Sequence, residues 1–261
     1  MPVQMSNLQR QSLALAGWRR HDPPVGAVLS KMSQTHSNFR MKCIVTAGPT
    51  YEELDDVRRL TNFSTGALGT ELAGFLAARG HEVVLLRGHY ATCRLEPPGP
   101  PAQVFTTGAD LRRRLRRLAE KGADALFHAA AVGDFKFGKI WSPMDGGELR
   151  EIRLSKISTR EGVILAELRP AAKIIVELRG WFPEAYLAGW KYELEGRRAE
   201  AVARGREQLA ENQTDACVVN GRAYGKGFGL VTRREACEHL RDKPALFAAL
   251  LARAEVKAQK R

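Results

Sequence analysis

Residues 42–86 read KCIVTAGPTYEELDDVRRLTNFSTGALGTELAGFLAARGHEVVLL. A β-branched run, Cys43 to Thr46, stops at Ala47-Gly48. A polar stretch follows, then Gly66-Ala67-Leu68-Gly69, an alanine-rich amphipathic run to Arg79, Gly80, and the apolar run Val83 to Leu86. This succession predicts strand, glycine-bearing loop, helix and strand, the βαβ unit of a nucleotide-binding half-domain. The loop is long for such a unit. About 17 residues separate Gly48 from Gly66, where strand-to-helix turns usually take a few. They include Arg58, Asn62, Ser64 and Thr65, so the loop reads as an anion site at a helix N-terminus with side-chain chemistry added.

Outward from this unit the same alternation continues. Strands are expected over 42–47, 82–87, 103–106, 124–130, 163–168, 185–190, 215–220 and 228–232. Helices are expected over 66–79, 109–121, 171–179, 197–211 and 243–257. Pro170 is expected at the first helical position of 171–179, with Gly180 as its C-terminal cap. The fold class is therefore α/β, a Rossmann-like, mostly parallel sheet flanked by helices. The stretch from Gly133 to Gly162 breaks the rhythm with Gly146-Gly147 and a strand-like run holding Leu149, Ile152 and Leu154. Residues 141–153 are expected as an inserted β arm near the active site. Residues 1–40 are polar, carry Pro23-Pro24 and show no sustained period. They are expected to be a disordered extension, or an over-long gene start with Met41 as initiator. The domain proper is then 41–261.

Composition narrows the function. The chain has 261 residues, 44% of them hydrophobic, enough for one α/β core. No apolar run approaches the ~18 residues of a membrane span, and no signal peptide is visible, so no membrane partner and a cytoplasmic location are expected. Cys43, Cys93, Cys217 and Cys237 form no metal spacing. Cys43 and Cys217 lie in apolar strand patterns and are expected as buried thiols. The net charge of +12 owes much to Arg112-Arg113-Arg114, Arg116-Arg117, Arg197-Arg198 and Arg233-Arg234. Over 112–117 the arginines alternate with Leu111, Leu115 and Leu118 at helical spacing, which reads as a solvated helix face. No nucleic-acid partner is expected; small polyanionic substrates also suit a positive field.

Several motifs resemble one family. Asp56-Val57-Arg58 followed by Thr61-Asn62-Phe63-Ser64-Thr65-Gly66 resembles the DxVRxxxNxSSG signature of phosphopantothenoylcysteine synthetases. His128-Ala129-Ala130-Ala131-Val132-Gly133-Asp134-Phe135 is similar to that family's AAAVxDF segment. Lys156-Ile157-Ser158-Thr159 is similar to its K-I-x-S loop, Gly189-Trp190-Lys191-Tyr192-Glu193 to a G/S-F-K-x-E strand end, and Val218-Val219-Asn220 to V-A-N. The order holds over about residues 41–235. The resemblance implies a ligase joining 4'-phosphopantothenate to L-cysteine through an acyl-nucleotide, at the expense of CTP or ATP and with Mg2+. It also implies a homodimer whose sites combine both chains.

The resemblance then assigns roles. Ser64, Thr65, Gly66 and Gly69 would bind the substrate phosphate; ordinary capping by Ser64 or Thr65 is the plainer reading. Asn62 would contact the acyl-nucleotide, its amide donating to an oxyanion or accepting from the cysteine ammonium. Arg58 would reach the neighbouring subunit's substrate, since a guanidinium fork suits an anion. Gly48, Ala130, Ala131 and Asp134 would line the nucleotide, with Asp134 also a candidate Mg2+ ligand. Lys156 would face the triphosphate, with Lys139 competing for that part. Trp190 and Asn220 would hold the pantothenate arm and Lys191 the nucleotide. Two departures stand out: Ser158-Thr159 replace the further lysines of bacterial members, and Pro49 replaces a second glycine and removes an N–H. Residues 1–40 are too short for a flavin-binding decarboxylase domain, so a stand-alone synthetase without flavin is expected. An NADP-dependent short-chain reductase and a non-catalytic phosphate-binding module are the alternatives. The reductase lacks its Tyr-x-x-x-Lys, because Tyr186 and Lys191 are one residue too far apart.

Overall fold

The core begins at β1 (Lys42–Ala47), a strand buried at every residue after Lys42. Burial on both faces is what a continuous β-branched run demands, and it makes β1 an inner strand of a parallel sheet. It pairs in parallel with β4 (Glu82–Gly88) on one side and β6 (Ala125–His128) on the other. The computed structural model describes residues 39–94, 99–153, 155–233 and 236–261. Expectations that fall on residues 1–38, Pro97, Pro98, Leu154 and Arg234 lie outside the described residues.

Five further strands join these three: β5 (Ala102–Phe105), β10 (Tyr186–Tyr192), β11 (Ala216–Asn220), β12 (Phe228–Thr232) and β13 (Glu238–Leu240). Together they form an eight-stranded main sheet, in the order β13-β12-β11-β10-β6-β1-β4-β5 among the described residues. The first six in chain order, from β5 through β1 to β11, run parallel in the doubly wound order, and β12 and β13 extend the edge as antiparallel strands. The chain leaves β1 toward β4 and β5, then returns through α2 (Gly108–Ala119) to β6 on β1's other side. The order therefore reverses between β1 and β6, and the crevice beyond their C-terminal ends is where such sheets bind ligands.

Helices cover both faces. On one face α1 (Ala67–Ala77) buries Leu72, Ala73 and Leu76, and α5 (Lys243–Ala258) buries Leu246, Phe247, Leu250 and Leu251. Each fully buried leucine contributes roughly 1.5–3 kcal/mol. On the other face α2 packs Leu111 and Leu115 beside Leu178 of α3 (Ile175–Trp181) over Ile44, Leu86 and Leu126. The α4 helix (Arg198–Glu211) covers β11 and β12. Asp242 caps α5 by accepting from Ala245 N–H, with Pro244 in the first turn.

Three expectations are corrected. The arm is built from β7 (Phe135–Pro143), β8 (Leu149–Ile152) and β9 (Leu165–Pro170), which form a separate three-stranded antiparallel sheet in the order β8-β7-β9. The strand expected over 163–168 thus belongs to the arm and not to the main sheet, and Pro170 ends β9 opposite Phe135 instead of starting a helix. An edge strand tolerates the missing N–H, and Ala171 N–H is committed to Asp134 O at 2.8 Å, which keeps the chain extended. The helix starts only at Ile175 and runs through Gly180 to a cap at Phe182. The long loop also contains a short hairpin, β2 (Tyr51–Glu53) with β3 (Arg59–Thr61).

Cys43 and Cys217 are buried free thiols, as expected. Burial is the main reason both are pushed up to about 12, so neither is a thiolate at neutral pH. No helix among the described residues is long and apolar enough to cross a membrane.

Candidate active site

The crevice is assembled by two buried threonines that the strand pattern hid. Thr46 Oγ1 accepts from Ala130 N–H at 3.1 Å and lies 3.0 Å from His128 Nδ1. Burial pushes His128 down to about 4, so its ring is neutral. Thr46 and the neutral imidazole thus share one hydrogen bond, its direction set by the ring's tautomer. Thr50 is the second anchor. Its N–H donates to Ala131 O (3.1 Å), its carbonyl accepts from Thr61 Oγ1 (2.8 Å), and its hydroxyl accepts from Gly133 N–H (2.9 Å). Ala131 N–H donates to Gly48 O at 3.0 Å. The long loop is thereby stitched to the Ala130–Gly133 segment that leaves β6.

Asn62 sits on this seam. Its Nδ2 lies 3.3 Å from both Ala131 O and Val132 O, so the amide N–H pair is spent on these carbonyls. Because the amide is planar, Oδ1 faces away from them and is left to accept. Ser64 N–H turns back to Asn62 O at 2.9 Å. Gly66, in the left-handed region at φ 73°, is the N-cap of α1, and neither Ser64 nor Thr65 caps it by side chain from the N-cap position; Thr65 Oγ1 instead accepts from Ala67 N–H at 3.3 Å. The plain capping role for Ser64 is thus absent.

The glycines divide by what they touch. Gly48 is buried at φ 82°, and a Cβ there would come within 2.6 Å of Ala91 Cβ; one on Gly66 would come within 3.0 Å of the same atom. Ala91 belongs to the loop after β4, whose Thr92 and Cys93 N–H groups donate to Thr65 O. Arg87 braces that loop by donating to Ala91 O and Cys93 O, both at 2.6 Å. At Gly48 the close approach is therefore of chain to chain. Gly69 lies on the underside of α1, where a Cβ would meet Ala47 Cβ and Thr46 O at 2.8 Å. It seats the helix on β1 while its N–H remains in the unpaired first turn.

A third segment is bonded to the long loop. Asp55, its side chain fully buried, accepts from Val57 N–H (2.9 Å), Arg58 N–H (2.7 Å), Arg58 Nη1 (2.7 Å) and Ile157 N–H (3.2 Å). Burial raises the carboxyl, but the Ile157, Val57 and Arg58 N–H groups and the Arg58 charge outweigh it and hold Asp55 below the usual carboxylate range. Arg58 Nη2 donates to Ile157 O at 3.0 Å, and Asp56 N–H donates to Ser155 O at 2.9 Å. Ile157 is buried among Ile140 and Ile152, with Leu54 and Ile164 against them. Arg58 is accordingly held within its own chain, with 41% of its side chain exposed. Lys156 is exposed on the clasped loop, whereas Lys139 pairs with Glu151 at 3.0 Å on the arm.

The remaining candidates lie along the same rim. Trp190 is half-buried on the α1/α5 face, with Nε1 out of solvent and unbonded. Lys191 pairs with Glu193 at 3.4 Å, and Glu193 N–H donates to Asn220 O at the end of β11. Three strand spacings of ~4.8 Å separate β1 from β11, a rim of roughly 14 Å suited to an elongated ligand. Asp134 is exposed, and no group of three His, Cys, Asp or Glu among the described residues is arranged to hold a metal. Thr46, Thr50, Asp55 and Ala91 are the contributors that sequence reading passed over. Only Asp55 had a signal: it stands three residues before Arg58, where the aspartate of D-x-V-R falls.

Comparison with known proteins follows the same lines. Residues 39–243 match the family described as the DNA/pantothenate metabolism flavoprotein C-terminal domain. The coenzyme A biosynthesis bifunctional protein CoaBC of Thermococcus kodakarensis is 29% identical over 217 residues, covering 77% of this chain and 50% of that protein. Its Bacillus subtilis namesake is 30% identical over 192 residues, covering 72% and 42%. The chain spans about half the length of these curated relatives. The crystal structure of a DNA/pantothenate metabolism flavoprotein from Streptococcus pneumoniae superposes with a TM-score of 0.69 at 25% identity, over 83% of this chain and 99% of that one.

Proposed function

Because this chain belongs to the DNA/pantothenate metabolism flavoprotein C-terminal domain family, we propose that it is a ligase joining 4'-phosphopantothenate to L-cysteine in coenzyme A synthesis, with residues 41–261 as its catalytic domain. A nucleoside triphosphate, CTP or ATP, activates the acid. A carboxylate oxygen attacks the α-phosphorus and pyrophosphate leaves. The cysteine amine then attacks the acyl carbon, the nucleoside monophosphate leaves with the bridging oxygen, and the amine's proton passes to solvent.

The observation that carries this reading is the meeting at the strand-order reversal of the loop bearing Asn62 and the Ala130–Gly133 turn; the loop bearing Lys156 is bonded to the former through Asp55. The first-turn N–H groups of α1 from Gly66 to Gly69, with Ser64 and Thr65 beside them, take the substrate phosphate. Trp190 and Asn220 line its pantothenate arm. Asn62 Oδ1 accepts from the cysteine ammonium, and Arg58 adds positive charge beside the reacting carboxylate. Ala130 and Ala131, small at a strand end, let the base and ribose approach the backbone, and Lys156 and Lys191 face the triphosphate. An isolated exposed carboxylate such as Asp134 suits a Mg2+ ion that arrives with the triphosphate, bound by one carboxylate and the phosphates. Positioning and charge neutralisation then supply the rate.

A homodimer belongs to the proposal. Val57, Leu60 and Phe63 on the site loop, and Phe135, Leu165 and Leu168 on the arm, are exposed apolar side chains, the surface expected of an interface. Free thiols and a coenzyme A precursor as substrate favour the cytoplasm. The reductase alternative is disfavoured by the missing Tyr-x-x-x-Lys and by the length of the loop between Gly48 and Gly66. The test is to incubate the protein with phosphopantothenate, cysteine and either triphosphate, and to measure pyrophosphate. Release that requires both phosphopantothenate and a triphosphate supports the ligase. No release with either triphosphate, alongside retained phosphopantothenate binding, would leave a binding module.

A further inference from the structure

We propose that Asp55 is a positioning residue that clasps the Lys156 loop over the crevice, and that triphosphate binding depends on this clasp. The inference rests on the ligase reading for the role of Lys156. The clasp itself stands on the geometry. Of the two Asp55 oxygens, Oδ1 serves its own loop and Oδ2 carries the bridge as well. Oδ1 accepts from Val57 N–H (2.9 Å) and Arg58 N–H (2.7 Å), closing the turn in its own loop. Oδ2 accepts from Arg58 Nη1 (2.7 Å) and from Ile157 N–H (3.2 Å), reaching across to the other loop. Arg58 Nη2 completes the joint on Ile157 O (3.0 Å), and Asp56 N–H on Ser155 O (2.9 Å). Backbone polar groups on both sides of Lys156 are thus bonded to the Asp55–Arg58 turn, while the Ile157 side chain is locked among Ile140 and Ile152. The Lys156 side chain between these anchors is exposed.

The division of labour between the two oxygens gives a discriminating variant. An asparagine in place of Asp55 would be isosteric but has one acceptor oxygen. Its NH2 must face either the turn or the Ile157 side, and both present only donors. In Asp55→Asn the oxygen that keeps the local turn forfeits the bridge, so the loop is released while the main sheet, which Asp55 does not touch, stays intact. Ile157→Ala loosens the same loop from its apolar side and leaves Asp55 unaltered.

Two readouts test this on the full chain. In limited trypsin digestion under native conditions, cleavage after Lys156 should be about tenfold faster in Asp55→Asn and in Ile157→Ala than in wild type, with the far-UV circular dichroism at the digestion temperature unchanged. In steady-state assay, KM for the triphosphate should rise about tenfold or more in both variants, while KM for cysteine changes less than threefold. Unchanged cleavage after Lys156 in Asp55→Asn would overturn the clasp. Faster cleavage with unchanged triphosphate KM would overturn its positioning role. Absence of activity in the wild type would overturn the ligase reading and the catalytic half of this inference with it, and the digestion would still decide the clasp.

Discussion

Asn62→Ala separates catalysis from scaffolding at one residue. In the folded chain Asn62 spends its amide N–H pair on Ala131 O and Val132 O, each at 3.3 Å and exposed to solvent. Long, wet hydrogen bonds lie at the low end of the usual net value, ~0.5 kcal/mol each, so their loss costs ~1 kcal/mol of stability. For a domain of this size that lowers the thermal midpoint by roughly 2–4 °C. The proposed catalytic use is different in kind: Oδ1 accepts from an ammonium, and such charge-assisted bonds are worth about 1.5–3 kcal/mol. Turnover should therefore fall about 10²-fold. Scanning calorimetry gives the first quantity and pyrophosphate release the second. Asn62→Asp adds a check, because a carboxylate keeps an acceptor but sets a charge against two carbonyls; it should be less stable than Asn62→Ala. Turnover within threefold of wild type in Asn62→Ala would refute the reasoning and leave Asn62 as a strut between loops.

Gly69→Ala should lose about 1–3 kcal/mol in denaturant unfolding, because the added Cβ would lie 2.8 Å from Ala47 Cβ and Thr46 O and must push α1 off β1. Asp215 ties α3 and α5 to β10 through Arg179 (2.7 Å), Lys257 (2.8 and 2.9 Å) and Leu187 N–H (2.8 Å). Burial raises its pKa, but these partners hold it below the usual range. A depressed carboxyl contributes fully above its unfolded value of ~3.9 and loses that contribution as pH falls through the folded value. Asp215→Asn should therefore destabilise by about 1–3 kcal/mol at pH 7 and by progressively less below pH ~4, read from urea midpoints across pH. Removing residues 1–38, which show no core-forming period in sequence, should move the thermal midpoint by less than ~2 °C; Phe39, which packs on the core, stays in that variant.

The elements legible in sequence are those whose pattern is set by burial alone. The β1–α1–β4 unit reads from its apolar runs and glycines because both faces of β1 are covered and α1 has one buried stripe. The β12 strand and the α4 and α5 helices read within a residue or so for the same reason. Pro170 misled because its two permitted places, a helix start and an edge-strand end, look alike in one sequence; the choice is made by Asp134 O taking Ala171 N–H. The candidate site was legible where a motif names the residue, as at Asn62, which lies on the seam with Ala131 and Val132, and illegible where it depends on which loop touches which. Thr46 and Thr50 look like β-branched filler until His128, Ala130 and Gly133 arrive beside them. The motif aspartate was sought at Asp56, but Asp55 makes the side-chain contacts, and Asp56 joins only through its backbone N–H. Lys156 was preferred to Lys139 by motif register; in the fold Lys139 pairs with Glu151 on the arm, while Lys156 stays exposed. Gly48 has the residue type of a nucleotide turn, and the structure adds a packing reason for glycine there, since a Cβ would come within 2.6 Å of Ala91 Cβ in the loop after β4.

The central claim is acyl transfer through a nucleotide, and an oxygen label follows it directly. Phosphopantothenate carrying 18O in its carboxylate is turned over with cysteine and the preferred triphosphate, and the products are weighed by mass spectrometry. The account predicts one labelled oxygen in the nucleoside monophosphate and none in pyrophosphate, because the oxygen that attacks the α-phosphorus departs with it when the amide forms. Amide product with the nucleoside monophosphate unlabelled, or label appearing in inorganic phosphate, would contradict it.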